Sequence, residues 1–255
     1  MPGLAKTNAF MLGTATVMVG PVEDLQDLNP LEHSIGLVKN FTISSDPAYT
    51  ELTQGVKNDV VDSTMTGNPT RCSMEAYEYT ARNFAYALGL EKALDISPTG
   101  LSVKTTTAGS IAANAVAVPV ALATGLTVGK YIMIAVDNED HFIIRKITGV
   151  ATNTLTVDAA VPAIPANSVV TLVQDLSIGS KDDQPYYSAA ISGKLSNNDK
   201  IVIQLPKIRI VKGFNVAFTS GDYANMPIEF TIYDQVSTDP FYAQFGGAKA
   251  KIFRT

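Results

Sequence analysis

Thr70-Arg71-Cys72-Ser73-Met74-Glu75-Ala76-Tyr77-Glu78-Tyr79-Thr80-Ala81-Arg82-Asn83-Phe84-Ala85-Tyr86-Ala87-Leu88-Gly89-Leu90 changes its hydrophobic period halfway along. Up to Ala76, apolar Cys72, Met74 and Ala76 alternate with Arg71, Ser73 and Glu75, the period of a strand with one buried face. From Ala81 the apolar residues Ala81, Phe84, Ala85 and Leu88 recur at i, i+3, i+4 and i+7, which makes one helical stripe. Phe84, Ala85 and Leu88 are therefore expected to pack a short helix onto a sheet. Thr80 is placed as its N-cap, and Gly89 can close it in the left-handed conformation with Leu90 folding back. The residues upstream, 45–63, read differently. Asp46-Pro47 opens a turn, because proline fixes its own φ and pushes the preceding residue out of the helical region. The run that follows includes Tyr49, Glu51, Leu52, Gln54, Val56, Asn58, Asp59 and Val60, too polar for a core strand and too long for a simple turn, so a long loop is expected.

Working outward, 14–19 alternates as a first strand and 36–44 as a second, with an irregular connection between them containing Asn29-Pro30 and His33. Beyond Leu90 the composition turns poor in aromatics and rich in Ala, Thr and Val. Alternating runs at 131–136, 142–147, 155–157 and 169–173 predict a small barrel or sandwich of their own. Turn-forming Ser97-Pro98-Thr99-Gly100 and Ile178-Gly179-Ser180-Lys181-Asp182-Asp183 bracket this region. The expected organisation is a discontinuous domain, 1–96 plus 177–255, carrying an inserted β-domain at 97–176. Within the insert, 107–115 is low in complexity and no structure is assigned to it. The final third is the plainest sheet: Tyr187, Ala189 and Ile191; Ile201, Ile203 and Leu205; Ile208 and Ile210; Phe214, Val216 and Phe218; Ile228, Phe230 and Ile232. Asn197-Asn198-Asp199, Lys212-Gly213 and Ser220-Gly221-Asp222 supply turns, and Pro206 implies a bulge or an edge. The tail from 237 reads as an arm rather than core.

The chain has 255 residues, enough to bury a core without disulfides, and its single Cys72 sits in a strand pattern as a small hydrophobe. The formal net charge is −5 and 17% of residues are charged, which argues against a groove that grips nucleic acid through phosphates. It does not exclude a surface past which nucleic acid slides. The apolar run 9–20 is preceded by a single basic residue, Lys6, and no clean cleavage site follows it, so it is read as a strand and the chain as soluble and not exported. No catalytic constellation emerges: there is no phosphate-cradling loop with its lysine, no zincin histidine pair and no nucleophile elbow. Asp137-Asn138-Glu139-Asp140-His141 lacks the spacing of a calcium loop and reads as a solvated hairpin tip. His33 has no partners nearby in sequence to complete a metal set. Glu51, Asp59 and Asp62 read as a wet loop face rather than a catalytic pair. No catalytic residue, cofactor or metal is expected.

Tyr49-Thr50-Glu51-Leu52-Thr53-Gln54-Gly55-Val56-Lys57-Asn58-Asp59-Val60-Val61, followed by 77–90, resembles the major tail tube protein of long-tailed bacteriophages. Lys207-Ile208-Arg209-Ile210-Val211-Lys212-Gly213-Phe214, Gly221-Asp222-Tyr223-Ala224 and Ile228-Glu229-Phe230 are similar to that family's closing strands. The resemblance covers about the first 95 and the last 78 residues. It implies a mainly β fold, a tail-tube-type β-sandwich or half-barrel with one flanking helix, here with a small inserted β-domain facing outward. It also implies six copies in a ring and rings stacked into a virion tube through which DNA is ejected without specific binding. Residues 45–63, including Asp46 and Pro47, would be the family's long loop to the next subunit or ring. Tape measure and tail completion or tip proteins are implied partners. The insert departs from the minimal pattern and would crowd a sheath, so a non-contractile tail is expected. The rival expectation is a carbohydrate- or receptor-binding β-sandwich on a virion surface, against which stands the absence of Trp.

Overall fold

The computed structural model describes residues 15–54, 56, 58–90, 103–137, 141–179, 184–215 and 224–255. The chain divides into two compact units, Met1–Pro98 with Ile178–Thr255, and Thr99–Ser177. In chain order the first unit opens with strands β1 (Thr16–Gly20), β2 (Val38–Ser45), β3 (Ala48–Gln54), β4 (Asp59–Gly67) and β5 (Thr70–Ala76). The second unit holds β6 (Lys104–Thr106), β7 (Ala115–Pro119), β8 (Tyr131–Ala135), β9 (Phe142–Ala151), β10 (Thr154–Val161) and β11 (Val169–Val173). The first unit then resumes with β12 (Tyr187–Lys194), β13 (Lys200–Lys212), β14 (Met226–Ile232) and β15 (Lys251–Arg254). Its helices are α1 (Pro30–His33), α2 (Ala81–Ala87) and α3 (Tyr242–Phe245). The fold is mainly β.

Among the described residues of the first unit, seven antiparallel strands form one sheet in the order β1-β12-β13-β14-β5-β2, with β15 also paired to β13. The period-two pattern explains its apolar face. Cys72 lies opposite Phe230, Met74 opposite Ile228, Ile210 opposite Phe230 and Ile208 opposite Ile232, so apolar residues stack in rows across the strands. These side chains are buried, and the alternating Arg71, Ser73, Glu229 and Thr231 lie on the other face. Pro206 sits where β13 shifts register against β12: Ala189 pairs Leu205 while Tyr187 pairs Ile208. An extra residue is accommodated there, as a proline within a strand requires.

Helix α2 begins and ends as its sequence dictates. Thr80 Oγ1 accepts a hydrogen bond from Asn83 N at 3.1 Å. Gly89 N donates to Tyr86 O and Leu90 N to Ala85 O, both at 2.9 Å, with Gly89 at φ 67°, the Schellman closure. The buried face is turned from the expected stripe. Arg82, Asn83, Ala85, Tyr86 and Ala87 are buried, whereas Phe84 and Leu88 are only half-buried. Phe84 instead rests beside Tyr79 and Phe214, with ring centroids 5.6 and 6.2 Å away. The reason lies in polar partners that periodicity does not register. Asn83 Nδ2 donates to Ile35 O and Glu78 O at 2.8 Å, and Tyr86 Oη donates to Val19 O at 3.1 Å. The Arg82 guanidinium donates to Glu32 O. Buried polar groups are tolerated when satisfied as those of Asn83 and Tyr86 are, whereas Arg82 Nε is buried without a hydrogen-bond partner.

Two other expectations change. The connection 21–34 contains a 3-10 turn at Val22–Asp24 and the short α1, capped by Asn29, whose side chain accepts from Glu32 N at 3.0 Å. The tail is tied to the sheet rather than free. Phe245 is buried, Gln235 Nε2 donates to Ala248 O at 2.9 Å, and β15 pairs β13 from Ile201↔Arg254 to Gln204↔Lys251. Short elements of this kind are fixed by contacts far away in sequence, here across some 50 residues of chain. The expected strand residues 9–14, Val216 and Phe218, the Ser220-Gly221-Asp222 turn and both bracketing segments, apart from Ile178 and Gly179, lie outside the described residues.

In the second unit six strands follow the order β6-β11-β8-β9-β10-β7. The two ends meet: Thr107 bridges Val120, Ala121 N donates to Thr106 O at 2.8 Å, and Ala108 N donates to Pro119 O at 3.0 Å. These bonds bring the two ends of the sheet together just past β6 and β7. Ile132, Ile134, Ile147, Leu155, Val118 and Val170 fill the interior. The low-complexity residues 107–115 are part of this barrel. Thr107 is buried, its hydroxyl donating to Pro165 O and accepting from Ser168 N, each at 3.0 Å. Ile111 and Ile164 exchange both backbone hydrogen bonds. Where β9 and β10 part, Arg145 reaches Ala159 O and Ala160 O, and Asp158 accepts from Lys146 N, so side chains replace missing ladder bonds.

Candidate functional site

β2 and β5 pair along the sheet margin as far as Ser45↔Thr70. The two chains stay together beyond that point. Asp46 N donates to Pro69 O at 3.1 Å, and Asp46-Pro47 faces Asn68-Pro69 across the break. β3 and β4 then pair by themselves, from Ala48↔Gly67 to Gln54↔Asp59, as a separate two-stranded sheet. The expected loop is thus a β-ribbon, seven residues long on the β3 side, extending about 23 Å past the prolines at strand rise. Two prolines explain the break, since neither can donate to a ladder.

Two irregularities bend the ribbon. Thr66 is extra between the Gly67 and Met65 pairs, and its hydroxyl donates to Ala48 O at 3.2 Å. Val61 is extra between the Asp62 and Val60 pairs. At the tip Asn58 takes φ 53°, a left-handed conformation that Asn tolerates well. That turn chemistry, with β-branched Thr50, Thr53, Val60 and Val61, was the sequence signal for a hairpin, obscured by the acidic residues among them.

Every residue of β3, and all of β4 except half-buried Gly67, is exposed. Of the sequence-predicted positions, Tyr49, Glu51, Leu52, Gln54, Asp59 and Val60 lie on the two strands, Val56 and Asn58 at the tip, and Asp46 and Pro47 at the base. Tyr49 faces Met65, Leu52 faces Asp62 and Thr53 faces Val60. Tyr49, Leu52, Val56, Val60, Val61 and Met65 are all exposed large hydrophobics. A two-stranded hairpin is marginal in water, and this one holds its apolar side chains outside any core. It presents a surface of mixed apolar and acidic character.

Elsewhere, several chemistry-bearing groups among the described residues are engaged in structural contacts. Lys207 Nζ holds Asp239 at 2.8 Å and lies over the Tyr186 ring, which also carries the Arg209 guanidinium 4.3 Å from its centroid. Desolvation raises the Asp239 pKa, but Lys207 and the Val236 N–H together hold it below the usual carboxylate range. Burial pushes the Cys72 thiol up to about 12, far from a reactive thiolate. His141 Nδ1 meets Asp137 Oδ1 at 2.8 Å on an exposed surface, while Asn138, Glu139 and Asp140 lie outside the described residues. His33 Nδ1 accepts from Asn29 N at 3.1 Å, an ordinary helix-end contact. Among the described residues no three His, Cys, Asp or Glu side chains group to hold a metal, and no helix is long and apolar enough to cross a membrane. No protein-family model matches the chain, and no curated protein matches it in sequence.

Proposed function

We propose that this chain is a non-enzymatic structural protein that assembles with copies of itself into stacked rings, forming the tube of a bacteriophage tail. Six copies per ring, location in the virion and contact with tape measure and tail completion proteins follow from the sequence resemblance, and a non-contractile tail from the inserted unit, which would crowd a sheath. The observation that carries the self-assembly is the β3–β4 ribbon, exposed on both faces and rich in large apolar side chains. An isolated ribbon gains order when another surface covers it, and a repeating assembly provides that surface on every copy. The net charge of −5 is compatible with a conduit, because a mildly acidic wall repels phosphate and lets DNA slide.

The test is expression of the chain alone, followed by sedimentation and negative-stain imaging over a range of concentrations. Rings or stacked rings are expected as concentration rises. A monomer at every salt and concentration refutes self-assembly; if that monomer also binds selectively on a glycan array, it is a surface-binding module.

A further inference from the structure

Ile252 stands at the end of a row whose other members are buried. Across the sheet Val17 pairs Ile191, Ile191 pairs Ile203 and Ile203 pairs Ile252, and directly paired residues share a face. Ile203 is 8% exposed and Val17 and Ile191 less, whereas Ile252 is 64% exposed. On the opposite face the row Thr16, Ser192, Val202, Phe253 ends in the exposed ring of Phe253. Among the described strands β15 pairs β13 alone, so its far edge presents unpaired backbone groups. Its surroundings are basic. Lys200, Lys249, Lys251 and Arg254 outnumber Asp199 and Asp234, which lie 3.8 Å from Arg254 and 3.6 Å from Lys249 respectively.

The ribbon has the complementary character. Between Ala48 and Gly67 the sequence carries Glu51, Asp59 and Asp62 against Lys57, and β3 and β4 each keep one unpaired edge. Within one chain neither surface covers the other, since both are exposed. We propose that β15 is the receiving edge for the β3–β4 ribbon of a second copy of this chain. Leu52, Val60 and Val61 would cover Ile252 and Phe253, with Lys251 and Arg254 facing Glu51, Asp59 and Asp62. This rests on the self-assembly proposed above and names the surface that self-assembly uses. Opposite charges fix register and partner, and apolar contact supplies adhesion.

Two single variants, Leu52→Cys and Ile252→Cys, are prepared separately, mixed and mildly oxidised where sedimentation detects oligomers. Buried Cys72 stays out of the reaction. The mixed disulfide is expected about tenfold or more faster than that of Leu52→Cys with Leu31→Cys, because held neighbours react at an effective concentration far above bulk. Leu31 is an exposed control on α1. Equal rates in the presence of oligomers overturn the β15 assignment and leave assembly intact, whereas absence of oligomers for the unmodified chain overturns both. Cross-linking that appears only after removal of residues 1–14 means that the chain's own N-terminal segment occupies β15, which also refutes the assignment. As a second readout, Arg254→Glu raises the assembly threshold and Asp62→Arg in the same chain lowers it again, with circular dichroism unchanged throughout. Failure of that rescue, with both variants folded, counts against the pairing.

Discussion

Replacing Leu52 and Val56 together by Asp separates the ribbon's role in assembly from any role in folding. In the monomer Leu52 is 63% exposed and Val56 is 104% exposed, so neither contributes much burial. Substitutions at such positions change stability by about 0.5 kcal/mol or less. In an assembly that covers the ribbon, each side chain removed from water is worth about 1.5–3 kcal/mol, so two are worth about 3–6 kcal/mol per contact. At 1.4 kcal/mol per decade the association constant falls by about two to four orders of magnitude. Burying the new carboxylates without partners makes the loss larger. The assay pairs a urea midpoint on the dilute protein with a sedimentation or light-scattering threshold for oligomers. The expected result is an unchanged urea midpoint and a threshold raised about a hundredfold or more. Assembly at the unmodified threshold refutes the reasoning, and a collapsed urea midpoint shows that the ribbon is stabilising the monomer instead.

Four further outcomes follow from individual contacts. Thr80→Ala removes the cap on Asn83 N and is expected to cost about 1 kcal/mol in chemical denaturation, while Thr80→Ser restores most of it. Gly89→Ala places a Cβ against the Gln184 side chain at φ 67°, so a loss of about 1–2 kcal/mol is expected by the same measurement. The Cys72 thiol titrates at about 12 when folded against an ordinary 9.0, so above pH 9.0 the unfolded chain binds fewer protons than the folded one. The contribution is therefore complete below pH 9.0 and lost as pH rises towards 12, and stability in that window should fall less steeply in Cys72→Ala. Finally, residues Thr99–Ser177 expressed alone should unfold cooperatively on heating, since the barrel has its own core; a chain without a transition disproves its autonomy.

One of the segments that carry the resemblance to phage tail tubes, Tyr49 through Val61, forms most of the exposed ribbon. Tyr49 through Val61 was legible as a segment that could not enter a core. Its strand pairing was not legible, because Glu51, Asp59 and Asp62 interrupt the alternation that marks a strand, and cross-strand partners such as Tyr49 and Met65 are named only by the register. β15 was invisible for a related reason. Four residues carry too little periodicity, and the partner at Ile201–Gln204 lies some 50 positions earlier.

By itself the sequence determined where the period changes, and with it strand β5 and helix α2 with both its caps. Each of these depends on the backbone preferences of a few adjacent residues. At Pro206 the sequence left a bulge or an edge open, and the pairing of β13 on both sides makes it a bulge. Tertiary structure alone decided which face of α2 is buried, because Asn83 and Tyr86 donate to the carbonyls of Ile35 and Val19, which lie 48 and 67 positions away in sequence. It likewise decided that 107–115 completes a barrel and that Ile252 ends a buried row in the open. Those outcomes depend on which distant backbone lies alongside, a quantity that no local run of residues encodes.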